Sequence, residues 1–380
     1  MSLRARPRVL HIITHLDMGG AEGVAMQLID SLRGSFDFSL FAVLEQRALS
    51  AVGIDMAQRL DAWGVARSAG VAGRFKSGGV VLAALALNRT IRRVRPDIIH
   101  VHTEIPELTL ALACRLSRYT RSIPLLRTVH NSELWIDWNR IGSWVTETLA
   151  HGDAVAVSRS AADADWAIAT RTARPRADIL HNGVAPPPPV QPVGARRRFQ
   201  LLFAGRLVHQ KGADLLPAIL EAAWRATARR DVIVTIAGTG PLEARVRAGL
   251  ADRLSGWTVQ FVPPIERLSH RLGDYDVVLL PSRFEGFALL PLEVLMAGVP
   301  IVTTRAPGLD EAIPADYPFL AGSQDVTGLA ARLVEVIEDP AHARVVAADY
   351  GALLAERFSP AAMAQGYAER YQALAGAGRA

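Results

Sequence analysis

Two carboxylates eight positions apart, Glu285 and Glu293, are the residues whose type and spacing point most directly to chemistry. Glu285 opens the run Glu285-Gly286-Phe287, and Pro291 stands two residues before Glu293. Proline suits the first turn of a helix, so the spacing predicts Glu293 near a helix N-terminus and Glu285 in the loop before it. A capping box would be the structural explanation of Glu293, but it needs Ser or Thr at position 290, where the chain has Leu290. A carboxylate so placed can accept two hydrogen bonds from the vicinal hydroxyls of a ribose. Glu285 would then face the next group along, a sugar, with the backbone N–H groups of Gly286 and Phe287 beside it.

Fixed positive charge accompanies the pair. Arg206 and Lys211 stand in the run Ala204-Gly205-Arg206-Leu207-Val208-His209-Gln210-Lys211-Gly212, ahead of a helix expected from about Ala213, and two such cations suit a diphosphate. The chain has only two lysines, Lys76 and Lys211, so a lysine at this position looks selected for its compact ammonium, a surface role being the alternative. Gly238 and Gly240, with Pro241 expected in the first turn of the next helix, bring backbone close to a ligand, although a plain tight turn explains them nearly as well. Gly19-Gly20 enters another helix and would let N–H groups approach a phosphate or sugar, yet it does not match the G-x-G-x-x-G dinucleotide fingerprint.

His130 ends a predicted strand at the edge where a partner across a cleft should sit, and the structural alternative is a satisfied strand-end histidine. His100 and His102 point the same way along another strand, but no third ligand accompanies them by spacing, so no metal site is expected. Trp135, Trp138 and Trp144 follow His130 and suit helix packing better than stacking on an acceptor sugar or sitting in a membrane interface.

The elements that must position these residues are short β-branched runs alternating with helical patterns, the mark of parallel sheets wrapped by crossover helices. Strands are predicted over 9–14, 38–44, 98–101, 125–129 and 154–157, and a helix over 21–32 aligns Val24, Leu28 and Leu32 on one face. The chain turns proline-rich from Val184 to Pro192, with four prolines in a row from Pro186 to Pro189, which reads as a linker. Strands then resume over 200–204, 232–237, 259–262, 277–280 and 301–303, and only helical patterns follow from Thr327. The expected organisation is an α/β chain of two Rossmann-like, doubly wound parallel-sheet domains, 1–185 and 186–358. A C-terminal helix, 359–380, would pack back on the first domain.

With 380 residues, 50% of them hydrophobic, the chain can fill two cores. Its single cysteine, Cys114, excludes an internal disulfide and a Cys-based zinc site and fits a reducing cytosol. The basic N-terminus, Met1 to Arg8, leads into an apolar run too short for a signal peptide, and no stretch approaches the ~20 residues of a membrane span. The net charge of +5 sits in residues 1–185, which hold 22 Lys and Arg against 17 Asp and Glu; the remainder holds 20 of each. The arginines at 89, 92, 93 and 95 and at 115, 118 and 121 suit anionic lipid or an acidic substrate, the alternative being solvated helix faces. A cytoplasmic protein is expected, with peripheral attachment to the inner face of the plasma membrane a further possibility and no nucleic acid among its partners.

In their order and spacing these motifs resemble the retaining glycosyltransferases of family 4, which have the GT-B fold. The resemblance runs nearly end to end: Gly19-Gly20-Ala21-Glu22, Pro96-Asp97-Ile98-Ile99-His100-Val101-His102, His130, Val157-Ser158, His181-Asn182-Gly183-Val184, Gly205-Arg206-Leu207 with Lys211-Gly212, Gly238-Thr239-Gly240-Pro241, and the E-x7-E pair. It implies two domains facing a central cleft, with a nucleoside-diphosphate sugar bound mainly by the second domain. The acceptor, a glycan or lipid-linked precursor of cell-surface polysaccharide, would bind to the first. It implies transfer with retained anomeric configuration, no bound metal and no cofactor beyond the donor substrate.

Carried over by position, Arg206 and Lys211 neutralise the leaving diphosphate, Glu293 binds the ribose, and Glu285 contacts the transferred sugar. His130 meets that sugar's hydroxyls or the reacting centre, and Gly20 lets the first domain close on the phosphates. The run Ala306-Pro307-Gly308-Leu309-Asp310-Glu311 departs from the family pattern in lacking a Gly-Gly pair. Two other readings share the architecture: a sugar-nucleotide epimerase, which needs no acceptor, and a non-catalytic nucleotide-sugar-binding partner of another transferase.

Overall fold

In the computed structural model the described residues are 6–17, 19–46, 48–72, 78–136, 138–168, 173–187, 198–251 and 253–377. Met18, Lys76 and the linker from position 188 lie outside them. The chain divides into two units, one of residues 1–183 with 360–380 and the other of residues 184–359.

The first unit is built on β1 (Arg8–Ile13), β2 (Asp37–Glu45), β3 (Ala66–Ala72), β4 (Ile98–His102), β5 (Leu125–Val129), β6 (Asp153–Ala156) and β7 (Asp178–Ile179), in the order β3-β2-β1-β4-β5-β6-β7. Neighbours pair in parallel throughout, so apolar residues cover both faces. Side chains alternate between faces along each strand. Leu10, Ile12, Ile99, Val101 and Leu125 face one core. Val9, Ile13, Ile98 and Leu126 face the other, which the helix Gly20–Leu32 and the C-terminal helix Pro360–Ala377 cover. Tyr367 and Tyr371 of that last helix are fully buried there.

The second unit carries β8 (Phe199–Ala204), β9 (Val232–Ala237), β10 (Thr258–Val262), β11 (Val277–Leu280), β12 (Ile301–Arg305) and β13 (Leu320–Gly322), in the order β10-β9-β8-β11-β12-β13. The winding reverses between β8 and β11, and between β1 and β4 in the first unit. Loops leaving the carboxyl ends of such neighbours splay to opposite sides and leave a crevice, the place where ligands bind in open parallel sheets.

Three strands go unread in the sequence. The edge strand β3 is Ala-, Ser- and Gly-rich and lacks an apolar run, while β7 and β13 have two and three residues. Two helix starts also differ. Pro241 precedes the helix Glu243–Leu250 rather than standing in its first turn. The helix carrying Glu293 spans Leu289–Met296, so Pro291 falls in its first turn but Glu293 is its fifth residue, a turn deeper than the spacing predicts.

Candidate functional site

In the second unit the loops after β8 and β11 are stitched together at the switch point. Lys211 Nζ donates to Glu285 Oε1 at 2.7 Å, and Ser282 Oγ donates to the same oxygen at 2.8 Å. Beside them Arg283 grips Asp214 with two guanidinium bonds of 2.7 and 2.8 Å. Burial acts to raise the Asp214 carboxyl, but the hydrogen bonds and charge of Arg283 outweigh it and hold it below the ordinary carboxylate range. Gln210 completes the seam: its carbonyl accepts from Arg283 N at 2.8 Å and its side chain donates to Phe284 O at 3.3 Å.

Arg206 stands exposed at the mouth of this seam, its guanidinium donating to Gln210 Oε1 at 3.0 Å. Glu285 is buried to 7% exposure, and Phe287 is buried against the Phe358 ring at 5.4 Å between centroids. The run that lacks a second glycine closes on the same loop. Pro307 O accepts from Glu285 N at 2.9 Å, and Gly308, at φ 78°, passes so close that a Cβ would lie 2.1 Å from Glu285 O. No side chain fits there, so Gly308 fixes the backbone of Glu285 and Gly286. Gly238 makes a similar crossing with the loop after β8, where a Cβ would lie 2.0 Å from Gly205 O, and Gly240 follows in the same turn.

In contrast to Glu285, no cation among the described residues pairs with Glu293. Burial alone pushes its carboxyl up to about 7, and no hydrogen bond among the described residues offsets that cost.

In the first unit His130 lies just past β5, buried to 8% exposure, with burial pushing its imidazole down to about 3. Its Nε2 is 3.0 Å from His102 Nδ1, and His102 Nε2 is 2.9 Å from His11 Nδ1. His100 and His102 therefore do have a third histidine beside them: the parallel register sets His11 opposite His100, and the three rings offer nitrogens within 4.8 Å of one another. Spacing along one strand misses it because the partner comes from a neighbouring strand. Hydrogen bonds to one another and to Tyr371 and Thr128 already engage these nitrogens.

Gly20 begins the helix Gly20–Leu32 with open space around it, and Glu22 of the same turn is buried, which raises its carboxyl. Trp135 is buried, and Trp138 and Trp144 pack partly buried on the same core, so all three are packing residues. Sequence reasoning missed Ser282, Arg283, Asp214, Gln210 and His11, whose roles depend on which loops and strands become neighbours.

A family model described as Glycosyltransferase Family 4 matches residues 18–186, and one described as Glycosyl transferases group 1 matches residues 198–339. D-inositol 3-phosphate glycosyltransferase 1 of Catenulispora acidiphila is 30% identical over 290 residues, covering 68% of this chain and 67% of that protein. The chain belongs to glycosyltransferase family 4. Glycogen synthase of Mycobacterium tuberculosis is 28% identical over 289 residues, which are 70% of this family 4 chain and 66% of that protein, a little under two thirds of its length. Among solved structures, Anabaena HepE in complex with UDP-glucose superposes with a TM-score of 0.75 at 17% identity, over 96% of this chain and 99% of that one. That likeness establishes the GT-B fold for this family 4 member.

Proposed function

We propose that the chain is a retaining glycosyltransferase that moves a sugar from a nucleoside-diphosphate sugar to a hydroxyl of a glycan or lipid-linked acceptor in cell-surface polysaccharide synthesis. The observation that carries this reading is the Lys211–Glu285 pair at the switch point, with the desolvated Glu293 carboxylate eight residues on. Glu293 accepts the ribose hydroxyls, and Glu285, held by Lys211 and Ser282, accepts from a hydroxyl of the transferred sugar. Arg206 and Lys211 face the diphosphate and stabilise the charge that grows on it as it leaves. The N–H groups of Gly286 and Phe287 border the sugar, and Gly238 and Gly240 let backbone approach the nucleotide. His130 is assigned to the transferred sugar and Gly20, at a helix start, to the phosphates.

In the step itself, the bond between the anomeric carbon and the β-phosphate oxygen breaks as the acceptor oxygen bonds to that carbon from the same face. The acceptor proton passes to the departing phosphate. This same-face route needs no protein nucleophile, and fixed cations supply the leaving-group stabilisation.

Peripheral attachment to an anionic membrane is part of the reading. No helix among the described residues is long and apolar enough to cross a membrane. Val81, Leu82 and Leu85 are exposed on the helix Val80–Val94 beside exposed Arg89, Arg92 and Arg93, and Leu116 and Tyr119 are exposed among Arg115, Arg118 and Arg121. Apolar side chains ringed by arginine suit an acidic headgroup layer. Vesicles with 30% anionic lipid should bind the chain at low salt and release it at high salt; no binding at low salt removes this part.

The deciding experiment is a thermal-shift panel of nucleoside diphosphates and their sugars, followed by turnover with the donor that stabilises the fold and a panel of glycan and lipid-linked acceptors. One donor should raise Tm in the wild type and fail to do so in Glu293→Ala. Equal stabilisation of both proteins overturns the ribose assignment. Epimerised nucleotide from donor alone replaces the transferase reading with an epimerase.

A further inference from the structure

The face of the first sheet under the C-terminal helix holds an unusual amount of polar chemistry for a core. His11, His100, His102, Thr128, Tyr367 and Tyr371 are each buried to 0% exposure, and His130 to 8%. Alternation along the strands brings them together: His11 pairs with His100 and His102 with Thr128 across adjacent parallel strands, and His130 follows Thr128 by two residues. Burial holds all four imidazoles below their ordinary range and both phenols above theirs, so at neutral pH every member is uncharged.

Their contacts form one unbranched chain. Tyr367 Oη lies 3.1 Å from Thr128 Oγ1, which lies 2.7 Å from His100 Nε2. His100 Nδ1 lies 2.6 Å from Tyr371 Oη, and Tyr371 Oη lies 3.3 Å from His11 Nε2. His11 Nδ1 then meets His102 Nε2 at 2.9 Å, and His102 Nδ1 meets His130 Nε2 at 3.0 Å.

A neutral imidazole has one donor and one acceptor nitrogen, and each hydroxyl one proton and two lone pairs, so the possible proton arrangements divide by which way the His102–His130 link is donated. In one, donation runs from Tyr367 toward His130. Tyr367 donates to Thr128, Thr128 to His100, His100 to Tyr371, Tyr371 to His11, His11 to His102 and His102 to His130 Nε2. Every buried donor is used, and His130 carries its proton on Nδ1. In the others His130 donates from Nε2, and one hydroxyl, that of Tyr367, Thr128 or Tyr371, has no acceptor left among the described residues. Stranding a buried donor carries a penalty that one arrangement avoids altogether.

We propose that this chain, anchored in the C-terminal helix, fixes His130 as the Nδ1–H tautomer and makes His102 its positioning residue. His130 thus presents a hydrogen-bond donor at its outer nitrogen, suited to an oxygen of the sugar or of the departing phosphate. The functional consequence rests on the assignment of His130 to the donor sugar; the tautomer itself does not.

The test is long-range proton–nitrogen NMR on the full chain labelled with ¹⁵N-histidine, without ligand, at pH 7.5. Wild type should show His130 protonated at Nδ1 over Nε2 by about tenfold or more, the ratio that one stranded buried donor imposes. Tyr371→Phe keeps the ring and removes the central hydroxyl, and His130 should become a mixture of both tautomers. If that variant does not fold, His11→Leu cuts the chain one link nearer. An Nε2–H tautomer in wild type, or wild-type populations retained in the cut chain, overturns the proposal. In turnover, kcat should follow the Nδ1–H fraction across the variants while the donor KM stays constant. A shifted tautomer with unchanged kcat leaves the chain standing and removes His130 from the reaction.

Discussion

Lys211 and Glu285 come from loops 74 residues apart and meet at 2.7 Å, with Ser282 donating to the same carboxylate oxygen. The pair is largely enclosed, with 21% of the lysine side chain and 9% of the glutamate side chain exposed, so solvent screens it less than a surface bridge. It holds an ammonium in place before any anion arrives. Electrostatic stabilisation is most effective when its source is already oriented as charge develops.

Lys211→Met should therefore lower kcat/KM by about 10²–10³-fold, the range for losing one preorganised donor at a developing anion. Lys211→Arg should not restore it, because a planar fork replaces a compact ammonium. Steady-state kinetics with the donor found in the thermal-shift panel checks this, and wild-type turnover in the methionine variant sinks the role given to Lys211.

Nucleotide-sugar binding should depend on pH through Glu293. Burial raises this carboxyl to about 7 in the free protein, and a carboxylate accepting two ribose hydroxyls is favoured in its ionised form, so binding lowers that value. Affinity should be constant above about pH 8 and fall as pH drops below 7, approaching tenfold per pH unit until the bound-state value is reached. Calorimetry with the intact nucleotide-sugar at pH 6, 7 and 8 reads this directly. Glu293→Gln should bind more weakly at pH 8 and lose the dependence.

What was legible in the sequence follows from what each signal measures. Central strands such as β9 and β11 announce themselves because both faces are buried, which demands continuous β-branched or aliphatic runs. The edge strand β3 contributes little to either core and carries no such run. The loops after β8 and β11 were legible because glycine, proline and charge cluster where strands end. Which residues meet across them was not: the Arg283 to Asp214 clamp spans 69 positions and exists only once β8 and β11 are neighbours. His11 was hidden for the same reason, since a histidine within an apolar run reads as one more buried strand position until the register sets it beside His100.

Acid should unfold the chain through the same buried histidines. His11 and His130 are pushed down to about 3 and His100 and His102 well below their ordinary value, whereas the unfolded chain titrates them near 6.5. Above about pH 7.5 both states are neutral and the histidine contribution to stability is constant. As pH falls below 6.5 the unfolded state takes up protons that the folded state refuses. Stability should then drop by as much as about 1.4 kcal/mol per histidine per pH unit. Urea melts between pH 5 and 8 would show it as a falling midpoint, and His100→Gln should reduce the slope; a midpoint independent of pH would sink the idea.

The second buried polar group on the first sheet is ionic and should respond to pH in the opposite sense once its cation is removed. Arg127 bonds to Glu107 Oε1 at 2.9 Å and to Asp165 Oδ1 at 3.1 Å, with all three side chains at 6% exposure or less; Arg174 also pairs with Asp165. Burial already raises the Glu107 carboxyl, with the Arg127 charge working against the shift. Arg127→Met keeps much of the volume but leaves Glu107 without its cation, which should destabilise the fold by about 3–5 kcal/mol at pH 8. Without Arg127 the folded-state value of Glu107 rises further above the unfolded one, so lowering the pH lets the folded state bind a proton and recover stability. The gap between variant and wild type should therefore narrow between pH 8 and pH 5 in urea melts. A gap that is constant across that range would mean that the loss comes from packing rather than from the uncompensated carboxylate.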